Sequence, residues 1–323
     1  METNHRYIYK SCFFLILFFS LASGHDKESF AQEITPPDVF SKTALAREEI
    51  ELIRREMGKP KLDRPEIRVI AAAPREVFFQ ALTLYRKANQ LCFELTGKNA
   101  SLQVHPSGKI YPAHVFKVAR AALGRLHVIK QTLGIAEQGV EPAPDPNKTP
   151  TDVFRSIVQA NRQLNLMLDR QISPSDVFQK VTDAISYSTF LVGQFVEGSP
   201  VVPDPPPFER HKTPEDVYRR LIKCFNLIQE IASHSGLNIL EAKLEHDITD
   251  ITPGDVYNIA SLIVSELAYL NGKAGNTHPL QSYYPGRKFP SQVYQEAGIL
   301  ETQLRELLRR VETQPDWLKK DIG

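Results

Sequence analysis

Thr149-Pro-Thr-Asp-Val-Phe154 is one of eight copies of a hexapeptide in which a proline follows a helix-capping position. The valine at the fifth position marks each copy, and the spacings between successive valines are 38, 38, 38, 24, 40, 39 and 37 residues. Self-similarity this regular indicates a repeat architecture. The eight valines are Val39, Val77, Val115, Val153, Val177, Val217, Val256 and Val293.

Each position of the hexapeptide has a role in starting a helix. Thr or Ser at the cap accepts a hydrogen bond from an unpaired backbone N–H, and proline at the first helical position has no N–H to leave unpaired. An acidic residue three positions after the cap completes a capping box and lies at the positive end of the helix dipole. His114 fills this position in the third copy, as a degenerate cap. We therefore interpret the motif carboxylates as capping groups and not as a repeated site: Asp38, Asp152, Asp176, Asp216 and Asp255.

An apolar stripe with helical spacing follows each motif. In the sixth copy it consists of Val217, Leu221, Ile222, Phe225 and Ile228. This recurrence predicts a core-facing helix, and the motif aromatic is its first core anchor. Glycines then predict helix ends after about 20 residues, at Gly58, Gly97, Gly134 and Gly236. The predicted fold class is all-α, an eight-helix repeat array with long proline-rich connectors.

Two groupings of the eight helices fit the sequence. Odd copies have Ile before the cap, whereas even copies have Ala72 or a lysine, and this parity favours four helix pairs. The alternative is two four-helix bundles, formed by residues 33–172 and 173–313 and followed by a C-terminal tail, 314–323. The short connection at 170–172 predicts that the fifth helix is an antiparallel neighbour of the fourth. The other connectors are long enough to return along a helix, so parallel neighbours remain open, and their prolines predict that they are ordered against the helices.

The first 24 residues have the pattern of a secretory signal peptide. A basic segment containing Arg6 and Lys10 precedes an apolar run of eleven residues, 12–22, and the small residues Ala22-Ser-Gly24 follow it. Small residues also allow cleavage after Ala31. The apolar run is short for a membrane span, so we expect cleavage and an exported protein, periplasmic or extracellular, without stable membrane insertion after processing.

The charge balance and the cysteines limit the possible partners. Removal of residues 1–24 takes two basic residues and one acidic residue from totals of 39 and 38, which leaves 37 of each sign. A neutral chain has no electrostatic footprint for nucleic acid. Cys92 and Cys224 then remain; a disulfide between them is open, and their apolar helical surroundings favour buried free thiols.

Motifs that carry chemistry are absent from the sequence. It contains no paired Cys-x-x-Cys or His-x-x-x-His spacing, no phosphate-binding glycine loop and no nucleophile elbow. We therefore expect no catalytic residues, no metal and no cofactor, and a protein that is not an enzyme. The expected function is a protein–protein interaction or scaffolding module for another exported or envelope protein, and the alternative is a helical bundle that binds a small ligand.

The candidate binding residues lie where the sequence does not repeat, or where a polar residue interrupts an apolar helix. The connector 276–288 contains Tyr283, Tyr284 and Arg287, residue types that often anchor binding surfaces. The proline-rich run from Ser199 to His211 is the second distinctive connector. Buried asparagines need hydrogen-bond partners, so those within the even helices are predicted to cross-link helices or to line a polar pocket: Asn89, Asn161 and Asn226.

Overall fold

The computed structural model describes residues 33–61, 69–102, 104, 109–169, 171–195, 202–242, 251–276 and 285–319. In these ranges the chain forms eight α-helices, each starting at a motif proline. They are α1 (Pro36–Glu56), α2 (Pro74–Thr96), α3 (Pro112–Leu133), α4 (Pro150–Met167), α5 (Pro174–Gly193), α6 (Pro214–His234), α7 (Pro253–Lys273) and α8 (Pro290–Thr313). The all-α prediction is confirmed. The predicted signal peptide lies outside the described residues.

The capping role of the motif is confirmed in all eight copies for one of the two hydrogen bonds of the capping box. The side chain at the third helical position always accepts the backbone N–H of the cap residue, from Thr35 N to Asp38 Oδ2 at 2.8 Å and from Tyr111 N to His114 Nδ1 at 3.0 Å. Because Ala73 and Phe289 cap helices without a hydroxyl group, and the phenol of Tyr111 makes no capping hydrogen bond, this acceptor is the essential part of the motif.

The helix interiors follow the predicted stripes. All eight motif valines are 1–2% exposed, and the helices contain 18 to 24 residues. Gly97 ends α2 at φ 69°, a left-handed conformation that glycine adopts without steric strain.

The helices pack as two four-helix bundles and not as four sequential pairs. In the first bundle α1 packs on α3, α3 on α2, α2 on α4 and α4 on α1; the second bundle repeats this order with α5, α7, α6 and α8. Helices α1 and α2 are therefore diagonal neighbours, as are α5 and α6. Of the two groupings that fit the sequence, the two four-helix bundles are therefore the observed one. Each helix of the first bundle corresponds to the helix four positions later in the chain.

All four helices of a bundle point in the same direction. In the first bundle the motif prolines and valines of α1 to α4 surround one small apolar dimple, and those of α5 to α8 surround another. Because these residues open each helix, all four N-termini of a bundle lie at one end. Each connector within a bundle must therefore return over the full length of a helix, which explains why the connectors are long.

Two returning connectors pack on helices in the ranges that the structure describes, as predicted. In the first bundle the connector from α3 to α4 lies along α1, where Val140 N donates to Glu48 Oε2 at 2.7 Å. In the second, the connector from α5 to α6 lies along α8, where Gln295 Nε2 donates to the Pro206 carbonyl at 2.8 Å.

The parity of the sequence has a structural explanation at the helix starts. The lysines that precede the even caps lie over motif aromatics of the adjacent helix: Lys148 over Phe40 at 4.8 Å and Lys288 over Phe178 at 4.5 Å. Lys212 lies over Tyr294 in the same way, at 4.3 Å. Motif aromatics that are only partly buried are thus covered by a cation, which adds about 0.5–1 kcal/mol per contact at exposed sites.

The two bundles lie side by side with opposite directions. Arg75, at the start of α2, bonds Glu266 near the end of α7, while Arg162 near the end of α4 bonds Asp255 at the start of α7. A short antiparallel ladder between Val69–Ile70 (β1) and Glu241–Ala242 (β2) also joins them. The fifth helix therefore runs opposite to the fourth, as predicted from the short connection. The prediction that the two are neighbours is wrong, because α5 packs on α7 and α8, and α4 makes its main contact across the interface with α7.

Candidate functional site

The sequence-predicted candidates do not form one site. Tyr283 and Tyr284 lie outside the described residues. Arg287 is exposed, and its guanidinium lies 5.3 Å from the ring of its neighbour Phe289, which is 55% exposed. The proline-rich segment from residue 202 packs on α8 as a spacer would. In the described parts of these two connectors, the side chains do not converge on a common site.

The three asparagines have three different fates. Asn161 is fully buried and cross-links two helices, because its Nδ2 donates to the Gln80 carbonyl of α2 at 3.1 Å. Asn89 holds the connector that follows α2, accepting from Ala100 N at 3.2 Å. The expectation that Asn226 is buried is wrong: it is exposed, because it falls with Arg219, Lys223 and Glu230 on the solvent stripe of α6.

Asn161 lies beside a layer of buried charges between the bundles, which we call the interface charge cluster. It has two groups along the interface: Arg75 and Glu76 of α2 with Glu266 of α7, and Lys87 of α2 and Arg162 of α4 with Asp255 of α7. The side chains of Glu76 and Glu266 are 0% exposed, and that of Asp255 is 1% exposed. Sequence reasoning missed this cluster because each member is an ordinary residue on its own helix and only the antiparallel bundle arrangement brings them together.

Two motif carboxylates have a second role in this cluster. Glu76 accepts the Ala73 N–H at 2.8 Å and lies 2.6 Å from Arg75 Nη2, and Asp255 accepts the Thr252 N–H at 3.0 Å and Arg162 Nε at 2.9 Å. The capping interpretation is therefore correct but incomplete for α2 and α7, the helices that carry the main contact between the bundles.

Burial perturbs the titration of this cluster. Desolvation, followed by the nearby negative charge of Glu76, raises the pKa of Glu266 well above its ordinary value. Desolvation also lowers the pKa of Lys87 to about 7, against the opposing effect of Asp255. Perturbed carboxyl pairs occur in acid–base catalysis, but a substrate needs access to them, and both Glu76 and Glu266 are sealed from solvent. The arrangement serves to hold the bundles together.

A cavity beside the cluster is too small for a ligand. It is lined by Gln80, Tyr218, Asp255 and Asn258 together with apolar side chains, and its volume is about 20 Å³. That volume accommodates about one water molecule. Both amide atoms of Asn258 are buried without a protein partner among the described residues, so a water molecule there has groups to bond.

A much larger groove lies on the first bundle between α1 and α4. Its volume is about 500 Å³, within the range of roughly 300–1,000 Å³ that is typical of small-ligand sites. The groove is amphiphilic, with small apolar side chains at its base and charged side chains around them. Its lining consists of Ala44, Arg47, Glu48, Ile50, Glu51 and Lys61 on one side, and Gln159, Ala160, Arg162 and Gln163 on the other.

In the second bundle, the helix pair that corresponds to α1 and α4 is α5 and α8, and hydrogen bonds between side chains join these two helices. Aligning the motif valines matches Ala160 of α4 with Leu300 of α8, and Gln163 with Gln303. Gln303 is 4% exposed and joins α8 to α5, accepting from Ser188 Oγ and donating to Thr189 Oγ1, each at 2.6 Å.

In the first bundle the corresponding bridge is not formed. The α1 positions that match Ser188 and Thr189 are Ile50 and Glu51, and Gln163 Nε2 instead donates to the Pro60 carbonyl at 3.3 Å. Ala160 also provides less volume than Leu300. The α1–α4 groove is therefore a departure from the repeat, located where the first bundle replaces bridging and bulky residues.

In the described ranges, no three His, Cys, Asp or Glu side chains come together in a metal-binding arrangement, and no helix is both long and apolar enough to cross a membrane. Cys92 and Cys224 are buried free thiols in different bundles, as the sequence favoured. Comparisons of the chain with protein-family models, with curated protein sequences and with solved structures gave no significant match.

Proposed function

We propose that this protein is an exported, non-catalytic binding module and that the α1–α4 groove is its ligand site. The observation that carries the proposal is the groove itself, a cavity of about 500 Å³ at a position where the second bundle is bridged by Ser188, Thr189 and Gln303. A repeat protein that lacks a stabilising bridge in one of its two bundles is less stable at that position. Such departures from the stable arrangement are expected at binding sites.

Filling the groove tests this proposal. The variant Ala160→Leu introduces the residue that the second bundle already has at the matching position. Ligands are found by screening a small-molecule library by NMR against the processed protein. We expect hits that shift resonances of α1 and α4 and that no longer bind to Ala160→Leu, while the melting temperature is unchanged or higher.

Gly124→Ala is the matched control, because it adds a methyl group to α3 where no atom lies within 4 Å. This variant should bind the hits as the unmodified protein does. Hits that bind Ala160→Leu with unchanged affinity would place the site elsewhere and contradict the proposal.

A second candidate function is docking to an acidic surface of another exported protein, through α3. This helix contains no acidic residue, and Lys117, Arg120 and His127 are exposed along its outer face. Among the described residues, Lys117 and Arg120 have no ion pair, and electrostatic complementarity of this kind accelerates association. Charge reversal by Lys117→Glu with Arg120→Glu should abolish cross-linking to a specific envelope protein in the host, and unchanged cross-linking would exclude this face.

A further inference from the structure

The α1–α4 groove is lined by charged side chains, and some of them have hydrogen-bond or ion-pair partners among the described residues whereas others do not. Arg47, Lys61 and Arg162 contribute positive charge, and Glu48 and Glu51 contribute negative charge. The ligand class depends on which of these side chains already have partners inside the protein.

Both carboxylates are committed to neighbouring groups of the fold. Glu48 Oε2 accepts the Val140 N–H of the returning connector at 2.7 Å. Glu51 is held in a two-point contact with Arg54, at 2.6 and 2.8 Å, and this contact lowers the pKa of Glu51. Both carboxylates are therefore bound to partners within the fold, and offer little to a cationic ligand.

The cations differ from one another. Arg162 is paired with the buried Asp255 at 2.9 Å, which compensates its charge from the interior side. Arg47 and Lys61 are exposed, and neither makes a hydrogen bond or an ion pair with any described residue. Lys61 is close enough to Glu51 to help lower the pKa of that carboxyl, but no salt bridge joins the two side chains. Two exposed cations beside a ligand-sized groove favour an anion, because a charge-assisted hydrogen bond to an oxyanion is about twice as strong as a neutral one.

We propose, on the basis of the binding function proposed above, that the α1–α4 groove takes a small organic anion whose carboxylate or phosphate oxygens are bound by Arg47 and Lys61. The methyl and methylene groups of Ala44, Ile50 and Ala160 line the base, and they contact the apolar part of the ligand. Carboxylate and phosphate present the same oxyanion chemistry to these two side chains, and only experiment separates the two sources.

Isothermal titration calorimetry of the processed protein tests the inference with two charged probes and their neutral counterparts. Citrate represents carboxylates and glucose 6-phosphate represents phosphates; trimethyl citrate and glucose are the neutral probes. We expect saturable one-to-one binding of at least one anion and none of the neutral probe. Replacing Arg47→Gln or Lys61→Gln should weaken the binding about tenfold each, as expected for one lost charged hydrogen bond.

Arg86→Gln is the control for a general effect of net charge, since Arg86 is exposed on α2 and has no ion pair among the described residues. It should leave the affinity unchanged, with the melting temperature of every variant measured alongside. Equal weakening by Arg86→Gln, or no saturable binding of either anion up to about 10 mM, overturns the inference.

The inference and the proposed function fail separately. A neutral ligand that binds and is displaced by Ala160→Leu would retain the groove as the binding site and contradict only its preference for anions. Anion binding that persists in Ala160→Leu would place the anion outside the groove, and would contradict both.

Discussion

At the scale of single residues, the motif separates into an essential and an auxiliary part. Two caps have no hydroxyl group and a third, Tyr111, makes no capping bond with its phenol, so the backbone N–H to side-chain bond at the third helical position is sufficient to begin a helix. The hydroxyl adds a second contact: in the sixth copy Thr213 Oγ1 accepts from Asp216 N at 3.3 Å and donates to Asp216 Oδ2 at 2.8 Å.

Thr213→Ala therefore removes only the auxiliary contact. We expect a loss of about 1 kcal/mol in the free energy of unfolding, with α6 retained. Urea unfolding followed by circular dichroism measures both quantities. A loss of helix content in the native baseline would show instead that the hydroxyl is required to start α6.

Residue-scale reasoning predicted these caps because a cap is a local structure that depends on four consecutive residues. It did not predict the second role of Glu76 and Asp255, because their partners Glu266 and Arg162 are distant in sequence. Asn226 was wrongly expected to be buried for a related reason: a polar residue next to apolar ones in sequence falls on the opposite face of a helix.

At the scale of elements, two helical glycines differ in what surrounds them: one lies against a connector and the other faces open space. A Cβ at Gly298 of α8 would lie 2.6 Å from Cγ of Pro206 and 3.1 Å from the guanidinium carbon of Arg220. A Cβ at Gly124 of α3 would meet no atom within 4 Å. Neither glycine has a positive φ, so both positions accept alanine as far as the backbone is concerned.

These two glycines form a matched pair for a stability test. Gly298→Ala should lower the stability by about 1–3 kcal/mol, because it forces the proline-rich connector away from α8. Gly124→Ala should raise it by about 0.4–1 kcal/mol, because alanine restricts the unfolded chain. Thermal unfolding of both variants measures the difference. Changes of the same sign would contradict the packing of residues 202–211 on α8.

The helices and the ordered connectors were predictable because hydrophobic periodicity and turn residues are local signals. The α1–α4 groove was not, because it depends on Ala160 facing Ile50 across a packing contact more than 100 residues apart. A comparison of the two halves at matched positions could have pointed to the groove, because Ala160 matches Leu300 and Ile50 matches Ser188.

At the scale of the whole molecule, the buried charges between the bundles make the stability of the protein depend on pH. The pKa of Glu266 is raised in the folded protein, so the folded state holds a proton that the unfolded state releases above the ordinary pKa of glutamate. Stability then falls as the pH rises through the raised pKa.

Glu266→Gln should remove this dependence. Relative to the unmodified protein, we expect little change at pH 5 and a gain of about 1 kcal/mol at pH 8, measured by urea unfolding. Glu306→Gln is the control: Arg309 and Arg310 lower the pKa of Glu306 to about 2, so its titration lies below this pH window. A Glu266→Gln variant with the same pH profile as the unmodified protein would contradict a raised pKa of Glu266 in the folded state.

Lys87 gives the opposite trend in a higher range of pH. Its pKa is lowered to about 7 by burial, so between that value and its ordinary value the unfolded state holds more protons and stability rises with pH. Lys87→Met should abolish this rise between pH 7 and about 10 and increase the stability at pH 6. Chemical unfolding across this range measures the effect, and a rise that persists in Lys87→Met would assign it to another group.

The parallel direction of the helices within each bundle has a consequence for the rate of folding. Antiparallel hairpins let a helical protein form contacts between segments that are close in sequence, which is why helical bundles usually fold fast. Here consecutive helices such as α1 and α2 are diagonal, and each helix packs on partners reached only through a returning connector. The chain must close long loops before many of its core contacts form, so we expect it to fold more slowly than an antiparallel helical bundle of similar length.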